Sequence, residues 1–318
     1  MSARLRGIAR ETEAIVEAGR YRTPDGREVS IERALTTALS GTRLYGPEPV
    51  PVAALDSDRT TAVEVTGESS LRAAHRMTGE GPGKVAVLNY ASARNPGGGY
   101  LNGAQAQEEA LCRGSALYAT LLRAPDYYAH HRAERSAFYT DRVIHSPGVP
   151  VFRDDRGRLL DTPYTAGFLT SPAPNAGVIG SRTPEEVHRI PAALASRAER
   201  VLEVAAVRGY RRLVLGAWGC GVFRNDPAQV AGVFRALLLD GGRFAGHFEQ
   251  IVFGILDRSP EATTRTAFER TFGQDQDQGQ GQGQDQGQGQ DQGQGQDQGQ
   301  GQDQGQGQGQ DQGPYLQS

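Results

Sequence analysis

Residues 89–114 read NYASARNPGGGYLNGAQAQEEALCRG, and this stretch decides the fold. It begins at the end of an apolar run, 84–90, which is typical of a buried strand, and it leads into a predicted helix over 104–122. The glycines 97–99 between them carry no side chains, so their backbone N–H groups can lie against a ligand. A glycine loop followed by a helix N-terminus suits an anionic group such as a diphosphate.

The rest of the chain alternates strand-like and helical segments. Apolar or β-branched runs predict strands over 61–66, 84–90, 142–152, 167–171, 211–215 and 250–256. Periodic or capped segments predict helices over 3–19, 30–40, 69–77, 184–208, 260–272 and from Asp226-Pro227 onward. Near-continuous apolar strands separated by helices favour an α/β/α layered sheet, parallel or mixed. In such sheets ligands bind beyond the carboxyl ends of the strands.

The composition divides the chain into three parts. From Gln274 onward the sequence is almost only Gln, Gly and Asp, with seven Asp and no Lys or Arg. Such a segment cannot bury enough apolar surface to offset the entropy of ordering it, which predicts a disordered low-complexity tail over 274–318. We expect an N-terminal helical accessory segment over 1–60 and one α/β domain over 61–273.

The charge and the cysteine content exclude several classes of protein. Without the tail the formal charge is +4, which is too mild for a general DNA-binding protein. Two cysteines, Cys112 and Cys220, are too few for a disulfide framework or a multi-cysteine zinc site. The sequence shows no membrane-spanning apolar run and no signal peptide. We therefore expect a cytoplasmic protein that binds neither DNA nor a membrane, and we expect it to be a monomer.

Two adjacent carboxylates, Glu108 and Glu109, fall in the first turns of the helix that follows the glycine loop. Adjacent helical residues point about 100° apart, so the pair cannot straddle one bond as the two acids of a typical glycosidase do. If both are functional, they have different roles. Another explanation needs no chemistry, because the helix dipole favours carboxylates at this position and Glu109 with Arg113 has the spacing of an ordinary surface pair.

A second glycine loop, LGAWGCGVFRNDP at 215–227, follows the strand predicted over 211–215. It matches neither a dinucleotide-binding fingerprint nor a Walker loop. Taken alone, the loop is equally consistent with a tight turn between a strand and a helix. Val222 and Phe223 are then either core residues or a wall against a sugar.

The histidines and cysteines offer no further candidate site. The six histidines are scattered, and the one adjacent pair, His130 and His131, lies in a polar helical stretch that we interpret as exposed to solvent. Neither cysteine has an identifiable His and Asp partner set, which argues against a nucleophilic cysteine. We therefore expect neither a metal ion nor a cofactor.

The two glycine loops together resemble a known family. The GGG at 97–99, seven residues, and then the QEE at 107–109 match the GGG-x(6–8)-QEE signature of poly(ADP-ribose) glycohydrolases. The segment GAWGCGVFRNDP resembles the diphosphate-binding loop of the bacterial type of this family, and the motifs occur in the same order. The resemblance covers about residues 1–272. It implies a macrodomain-like α/β/α fold, in agreement with the layered mixed sheet.

Carried over to this sequence, the family pattern implies a role for each matching residue. Glu109 resembles the catalytic acid, and Glu108 resembles the glutamate that holds ribose hydroxyls at the scissile linkage. Phe223 resembles the aromatic residue that positions the terminal ribose. The other substrate-binding residues implied by the resemblance are Asn95, Gly97, Gly98, Gly99, Gln107, Gly219, Cys220, Gly221 and Val222.

The resemblance implies an enzyme that hydrolyses the ribose–ribose O-glycosidic bonds of poly(ADP-ribose), by exo action and without a metal ion. Its partners would be poly(ADP-ribose) or ADP-ribosylated proteins, and its product ADP-ribose. Two alternatives remain open: a hydrolase of single ADP-ribose units attached to a protein or nucleic acid, and a non-catalytic ADP-ribose reader. A reader would not require Glu109, so the intact QEE motif favours an enzyme.

Overall fold

Two layers of helices enclose a central sheet in the computed structural model, which describes residues 2–53, 59–239 and 241–278. The strands are β1 (Arg20–Arg22), β2 (Glu28–Ser30), β3 (Arg43–Tyr45), β4 (Ala62–Thr66), β5 (Val85–Tyr90), β6 (Val143–Arg153), β7 (Leu159–Ser171), β8 (Arg212–Leu215) and β9 (Gln250–Gly254).

The helices include two short 3-10 turns, at Tyr100–Asn102 and Pro184–Arg189. The α-helices are α1 (Ala3–Ala18), α2 (Glu32–Gly41), α3 (Ser70–Gly79), α4 (Gln107–Gly114), α5 (Leu117–Leu121), α6 (Pro125–Ala133), α7 (Ala176–Arg182), α8 (Ile190–Val207), α9 (Pro227–Leu238) and α10 (Thr263–Gln278).

The central sheet is mixed and has the order β3-β6-β7-β5-β8-β9-β4. The neighbours from β7 to β4 pair in parallel, whereas β3, β6 and β7 pair antiparallel at the other side. This arrangement confirms the predicted α/β/α layered mixed sheet. Residues 1–60 contribute β3 to the edge of this sheet and also form the separate β1–β2 hairpin.

The strands are apolar along their whole length because both faces of the sheet are covered. In β5, Val85 and Val87 join the core on one face, and Ala86 and Leu88 join the core on the other. Helices α1 to α6 supply the first core, and α7 to α10 supply the second. Because alternate residues of a strand face opposite sides of the sheet, this one apolar run contributes to both cores.

Several element boundaries differ from the predictions. The helix predicted over 104–122 is two helices, because Ser115 leaves the helical path and bridges to Val151 of β6. The helix predicted over 184–208 begins as a 3-10 turn. Pro191 has no backbone N–H, so it cannot donate the hydrogen bond that would extend α8 towards the N-terminus. Strand β7 is longer than predicted. Helix α10 ends at Gln278, within the segment predicted to be disordered, and the rest of that tail lies outside the described residues.

The interpretation of both histidines of α6 as solvent-exposed is wrong for His131, which is fully buried. Its Nδ1 lies 2.9 Å from Tyr127 O, and its Nε2 lies 2.8 Å from Thr140 Oγ1. Burial lowers the pKa of His131 to about 4. The spacing of Tyr127 and His131 by four residues puts them on one helix face, and this face packs into the core. Within the described ranges, no helix combines the length and apolar character needed to cross a membrane.

Gly167 in β7 allows Tyr210 to pack across the strand. A Cβ at Gly167 would lie 2.1 Å from the Tyr210 hydroxyl oxygen. Tyr210 is buried and forms a hydrogen bond of 2.9 Å with His145 Nε2, so it has little room to move. We expect Gly167→Ala to lower the free energy of unfolding by about 1–3 kcal/mol in urea denaturation. Gly232→Ala in α9 is the matched control, because a Cβ there meets nothing within 4 Å. Equal urea midpoints for the two variants would contradict this close packing.

Candidate active site

Both glycine loops lie at the carboxyl edge of the central sheet, as expected from the strands that they follow. The first loop leaves β5 and the second leaves β8, and these strands pair in parallel. Buried side chains hold the second loop against the end of β7. Trp218 Nε1 donates to Ser171 O at 3.0 Å, and Asn225 Nδ2 donates to Pro174 O at 2.8 Å.

Glu109 is buried in the first turn of α4, beneath the first glycine loop, with 8% of the residue exposed. Its Oε1 accepts a hydrogen bond from the Gly99 N–H at 2.9 Å, and its Oε2 accepts one from the Ala106 N–H at 3.1 Å. Arg113 is turned to the carbonyl of Ala104, to which it donates at 2.7 Å. The structure therefore places Glu109 in a buried site and not in the surface pair that the sequence also allowed.

Glu108 is also buried, but its carboxyl group points to the end of β5. Its Oε1 accepts from Asn89 Nδ2 at 3.2 Å, and its Oε2 accepts from the Ser92 N–H at 2.7 Å. Burial raises the pKa of Glu108 to about 8, and the hydrogen bonds from Ser92 and Asn89 oppose this shift. The two glutamates thus have different surroundings, as their angular separation on the helix predicts.

Gln107 fastens the first turn of α4 to the sheet. Its Oε1 accepts from the Tyr90 N–H at 2.9 Å. Its Nε2 donates to Leu88 O at 2.8 Å and to Ser70 Oγ at 3.0 Å. Both amide hydrogens are therefore used within the protein, and Gln107 positions the two glutamates that follow it.

The first glycine loop covers both carboxyl groups, and only glycine permits this close approach. Gly97 and Gly98 have φ of +64° and +56°. A Cβ on Gly98 would lie 2.5 Å from Glu109 Oε1 and 3.2 Å from Glu108 Oε2. The Gly98 N–H donates to the carbonyl of Asn95 at 3.0 Å, and the Gly99 N–H donates to Glu109. The N–H groups of Gly98 and Gly99 are thus engaged inside the protein.

The second loop offers free backbone donors. In the part of the chain that the structure describes, the N–H groups of Gly221, Val222 and Phe223 have no hydrogen-bond acceptor. A Cβ on Gly221 would meet nothing within 4 Å, and Val222 is 83% exposed. Gly219 has φ of +74°, and a Cβ there would lie 2.5 Å from Asn225 Nδ2. Successive free N–H groups on an open turn suit an anionic group.

The remaining predicted site residues lie around these two loops. Asn95 is exposed in the first loop, next to Pro96. Phe223 is half-buried, with its ring centroid 5.9 Å from that of Tyr139. Cys220 is half-buried, and burial raises the pKa of its thiol to about 12. A thiol with this pKa stays protonated at neutral pH and is a poor nucleophile.

Helix α1 supports the first glycine loop from behind. Tyr100 follows the three glycines and is fully buried. Its hydroxyl donates to Glu13 Oε1 at 2.9 Å and lies 3.2 Å from the carbonyl of Ala9. The Ser2 N–H donates to the carbonyl of Gly103, at the other end of the same turn. The N-terminal segment therefore helps to hold the loop that covers the glutamates.

A cavity of about 550 Å³ opens beside this site and not directly over the glutamates. It runs along the outer face of α4, past the end of β9, to the second loop. Residues of this cavity that lie nearest the two loops or the strand ends include Ser69, Tyr90, Gln107, Cys220, Gly221 and Leu256. Among the described residues, no three His, Cys, Asp or Glu side chains are grouped so that they could hold a metal ion.

Several residues of the site were missed in the sequence. Asn89 and Ser92 bind Glu108, Asn225 holds the second loop, and Tyr100 joins the first loop to α1. Asn89 could have been predicted from the sequence, because a polar residue at the end of an apolar strand needs a buried hydrogen-bond partner. Ser92, Tyr100 and Asn225 act through contacts with distant parts of the chain, which the local sequence does not reveal.

Comparisons with known proteins agree with this geometry. The family model described as the microbial-type PARG catalytic domain, where PARG stands for poly(ADP-ribose) glycohydrolase, matches residues 9–154. A search of curated proteins found no match. Among solved structures, poly(ADP-ribose) glycohydrolase from Thermomonospora curvata is 53% identical, with a TM-score of 0.82. The match covers 85% of this chain and 100% of that chain.

Two further solved structures contain a bound ligand. The Thermomonospora curvata enzyme bound to the inhibitor ADP-HPD is 52% identical, with a TM-score of 0.79, over 85% of this chain and 100% of that chain. The poly(ADP-ribose) glycohydrolase from Deinococcus radiodurans in complex with ADP-ribose is 46% identical, with a TM-score of 0.69. This match covers 74% of this chain and 96% of that chain.

The raised pKa of Glu108 makes stability depend on pH. An unfolded chain releases this proton near the ordinary pKa of 4.5, whereas the folded protein retains it up to about pH 8. The contribution of Glu108 therefore favours folding fully below pH 4.5 and is lost as the pH rises towards 8. We expect Glu108→Gln to weaken this dependence, measured as urea midpoints between about pH 5 and pH 8.

The control for this measurement is Glu17→Gln, because Glu17 is exposed on α1. This variant should keep the pH dependence of the wild type. If Glu108→Gln also keeps it, Glu108 is already ionised in the folded protein at neutral pH, and the effect of burial is smaller than we infer.

Proposed function

The chain belongs to the family of microbial-type poly(ADP-ribose) glycohydrolases and is a glycosidase that hydrolyses poly(ADP-ribose), and we propose that Glu109 acts in this reaction as general acid and then as general base. The observation that carries the proposal is the position of Glu109. It lies buried beneath the first glycine loop, held by the Gly99 N–H, at the same edge of the sheet as the open N–H groups that follow Cys220.

The terminal ADP-ribose unit would lie across the two glycine loops. We place its diphosphate on the free N–H groups of Gly221, Val222 and Phe223, because such groups bind anions without a metal ion. The adenosine end then lies in the cavity beside α4, which reaches Cys220 and Gly221. The terminal ribose lies at the other end, between Asn95 and Phe223.

Glu108 positions this ribose and does not exchange a proton with the scissile bond. Its carboxyl group is fixed by Asn89 and Ser92, so it presents a rigid hydrogen-bonding group to the ribose hydroxyls. Gly98 adds no side chain above the two glutamates, where a Cβ would lie 2.5 Å from Glu109 Oε1. Holding the sugar in one orientation beside Glu109 lowers the entropic cost of the reaction.

The reaction has two steps that use the same carboxyl group. Glu109 first donates its proton to the oxygen of the leaving ribose, and the bond from this oxygen to the anomeric carbon breaks. Positive charge develops on the terminal ribose and is stabilised by the nearby carboxylate and by the diphosphate of the substrate. Glu109 then takes a proton from water, whose oxygen bonds to the anomeric carbon. The products are ADP-ribose and a polymer that is one unit shorter, which is exo action.

The two alternative functions would use the same pocket. A hydrolase of single ADP-ribose units requires the same acid, and a reader requires none. The buried, doubly hydrogen-bonded position of Glu109 favours an enzyme over a reader. We further propose that the protein works as a monomer in the cytoplasm, on poly(ADP-ribose) or on ADP-ribosylated proteins, with no cofactor and no DNA partner.

Replacement of Glu109 by Gln tests its role in proton transfer. The amide cannot donate the proton of a carboxylic acid, so we expect kcat to fall by at least about 100-fold. The Kd for ADP-ribose, measured by calorimetry, should change far less, because the loop contacts remain. Glu28→Gln in the exposed hairpin is the control and should keep full activity. Hydrolysis at the wild-type rate by Glu109→Gln would remove Glu109 from the mechanism.

Metal independence is tested by dialysis against EDTA. We expect the hydrolysis rate to stay unchanged, since backbone N–H groups meet the charge of the diphosphate. Loss of activity in EDTA, restored by magnesium or zinc, would show that an ion takes part and that the assignment of the diphosphate to the second loop is incomplete.

A further inference from the structure

Three side chains from separate loops meet at the outer edge of the site. The ring of Tyr139 lies 5.9 Å, centroid to centroid, from that of Phe223. The guanidinium carbon of Arg94 lies 5.9 Å from the centroid of the same Tyr139 ring. Tyr139 and Phe223 are half-buried and Arg94 is exposed, so the group faces solvent. We call Arg94, Tyr139 and Phe223 the Tyr139 platform.

The backbone at the platform is strained. In the described residues, three non-glycine residues have positive φ, and two of them are Tyr139 and Arg224, both at +58°. Such a conformation is unfavourable for a residue with a side chain and persists only where the surroundings hold it. Tyr139 carries the ring at the centre of the platform, and Arg224 directly follows Phe223. Strained residues of this kind collect at functional sites more often than elsewhere.

The guanidinium group of Arg94 gives the platform a positive charge, and no carboxylate among the described residues forms an ion pair with it. Arg94 Nε donates to His131 O at 3.2 Å, and its Nη2 donates to Arg135 O at 3.3 Å. These acceptors fix the guanidinium group but do not neutralise it. Within the described ranges, Arg135 and Arg224 also have no carboxylate partner. An aromatic ring beside the fixed guanidinium group of Arg94 suits a nucleobase and its phosphates.

The platform lies outside the lining of the cavity. The cavity reaches Cys220 and Gly221 in the second loop, whereas the platform begins at Phe223, two residues further on. In the first loop, Arg94 directly precedes Asn95, beside which we place the terminal ribose. If the adenosine of the terminal unit occupies the cavity, the chain of the polymer must leave the site on the side of the platform.

We propose that the Tyr139 platform binds the ADP-ribose unit on the leaving side of the scissile bond. Its adenine stacks on the ring of Tyr139, and its phosphates lie near Arg94 and Arg224. This proposal rests on the proposed function, because it requires a polymer in the site. The platform contacts a second unit of the polymer, and monomeric ADP-ribose has no such unit.

The test removes the ring without adding strain. Tyr139→Gly accepts a φ of +58° freely, so the loop can keep its path. We expect the KM for poly(ADP-ribose) to rise about 10-fold, within the range for loss of one base stack. Tyr139→Phe keeps the ring and should behave as wild type. The Kd for monomeric ADP-ribose should stay unchanged in both variants.

A remote pair of the same kind serves as the control. The guanidinium carbon of Arg208 lies 5.3 Å from the centroid of the Tyr45 ring. Tyr45 belongs to the edge strand β3. Tyr45→Ala should leave the KM for the polymer unchanged. An unchanged KM in Tyr139→Gly would overturn the proposal, and so would an equal loss of affinity for monomeric ADP-ribose.

A binding measurement separates this proposal from the proposed function. The Kd for poly(ADP-ribose) is measured in the Glu109→Gln background, with and without Tyr139→Gly. A higher Kd for the polymer with Tyr139→Gly supports the proposal for the Tyr139 platform, even if the wild type fails to hydrolyse the polymer. Equal polymer Kd values overturn the platform even if hydrolysis by the wild type is normal.

Discussion

The site depends on how the first turn of α4 is attached to the end of β5. Three consecutive side chains make this attachment, and each forms hydrogen bonds with a different segment of the chain. Gln107 binds the backbone of β5, Glu108 binds the segment just after it, and Glu109 binds the glycine loop. A helix placed a short distance away would lose all three sets of hydrogen bonds together. The QEE tripeptide is therefore a structural clasp, apart from the catalytic role that we propose for Glu109.

This clasp explains why the glycines are needed. The loop must fold back over two buried carboxyl groups, and a Cβ on Gly98 would collide with Glu109 Oε1 and make a tight contact with Glu108 Oε2. The same closeness lets the Gly99 N–H bind Glu109, so the loop keeps the acid in place. Tyr100 then joins the loop to α1, which makes the N-terminal segment part of the support of the site. The second loop keeps the N–H groups of Gly221, Val222 and Phe223 free, and there we propose that the diphosphate binds.

Much of this could be predicted from the sequence, because the deciding signals are local. Apolar runs predicted the strands of the central sheet except β3, and the GGG and QEE motifs located both glutamates. The N–H groups of the first loop were expected to face a ligand, but those of Gly98 and Gly99 are used inside the protein. The burial of His131, the break of the helix at Ser115 and the contact of Tyr100 with α1 depend on distant residues. Such tertiary contacts override the local pattern on which sequence prediction relies.

The most direct test of the account is the course of product release from poly(ADP-ribose) by the wild-type protein. Samples taken from the first minutes onward are separated by chromatography, with long polymer in excess. The account predicts that monomeric ADP-ribose is the main product from the earliest sample, while the polymer shortens gradually. Tight binding of ADP-ribose without any release from the polymer would contradict the account and identify the pocket as a reader.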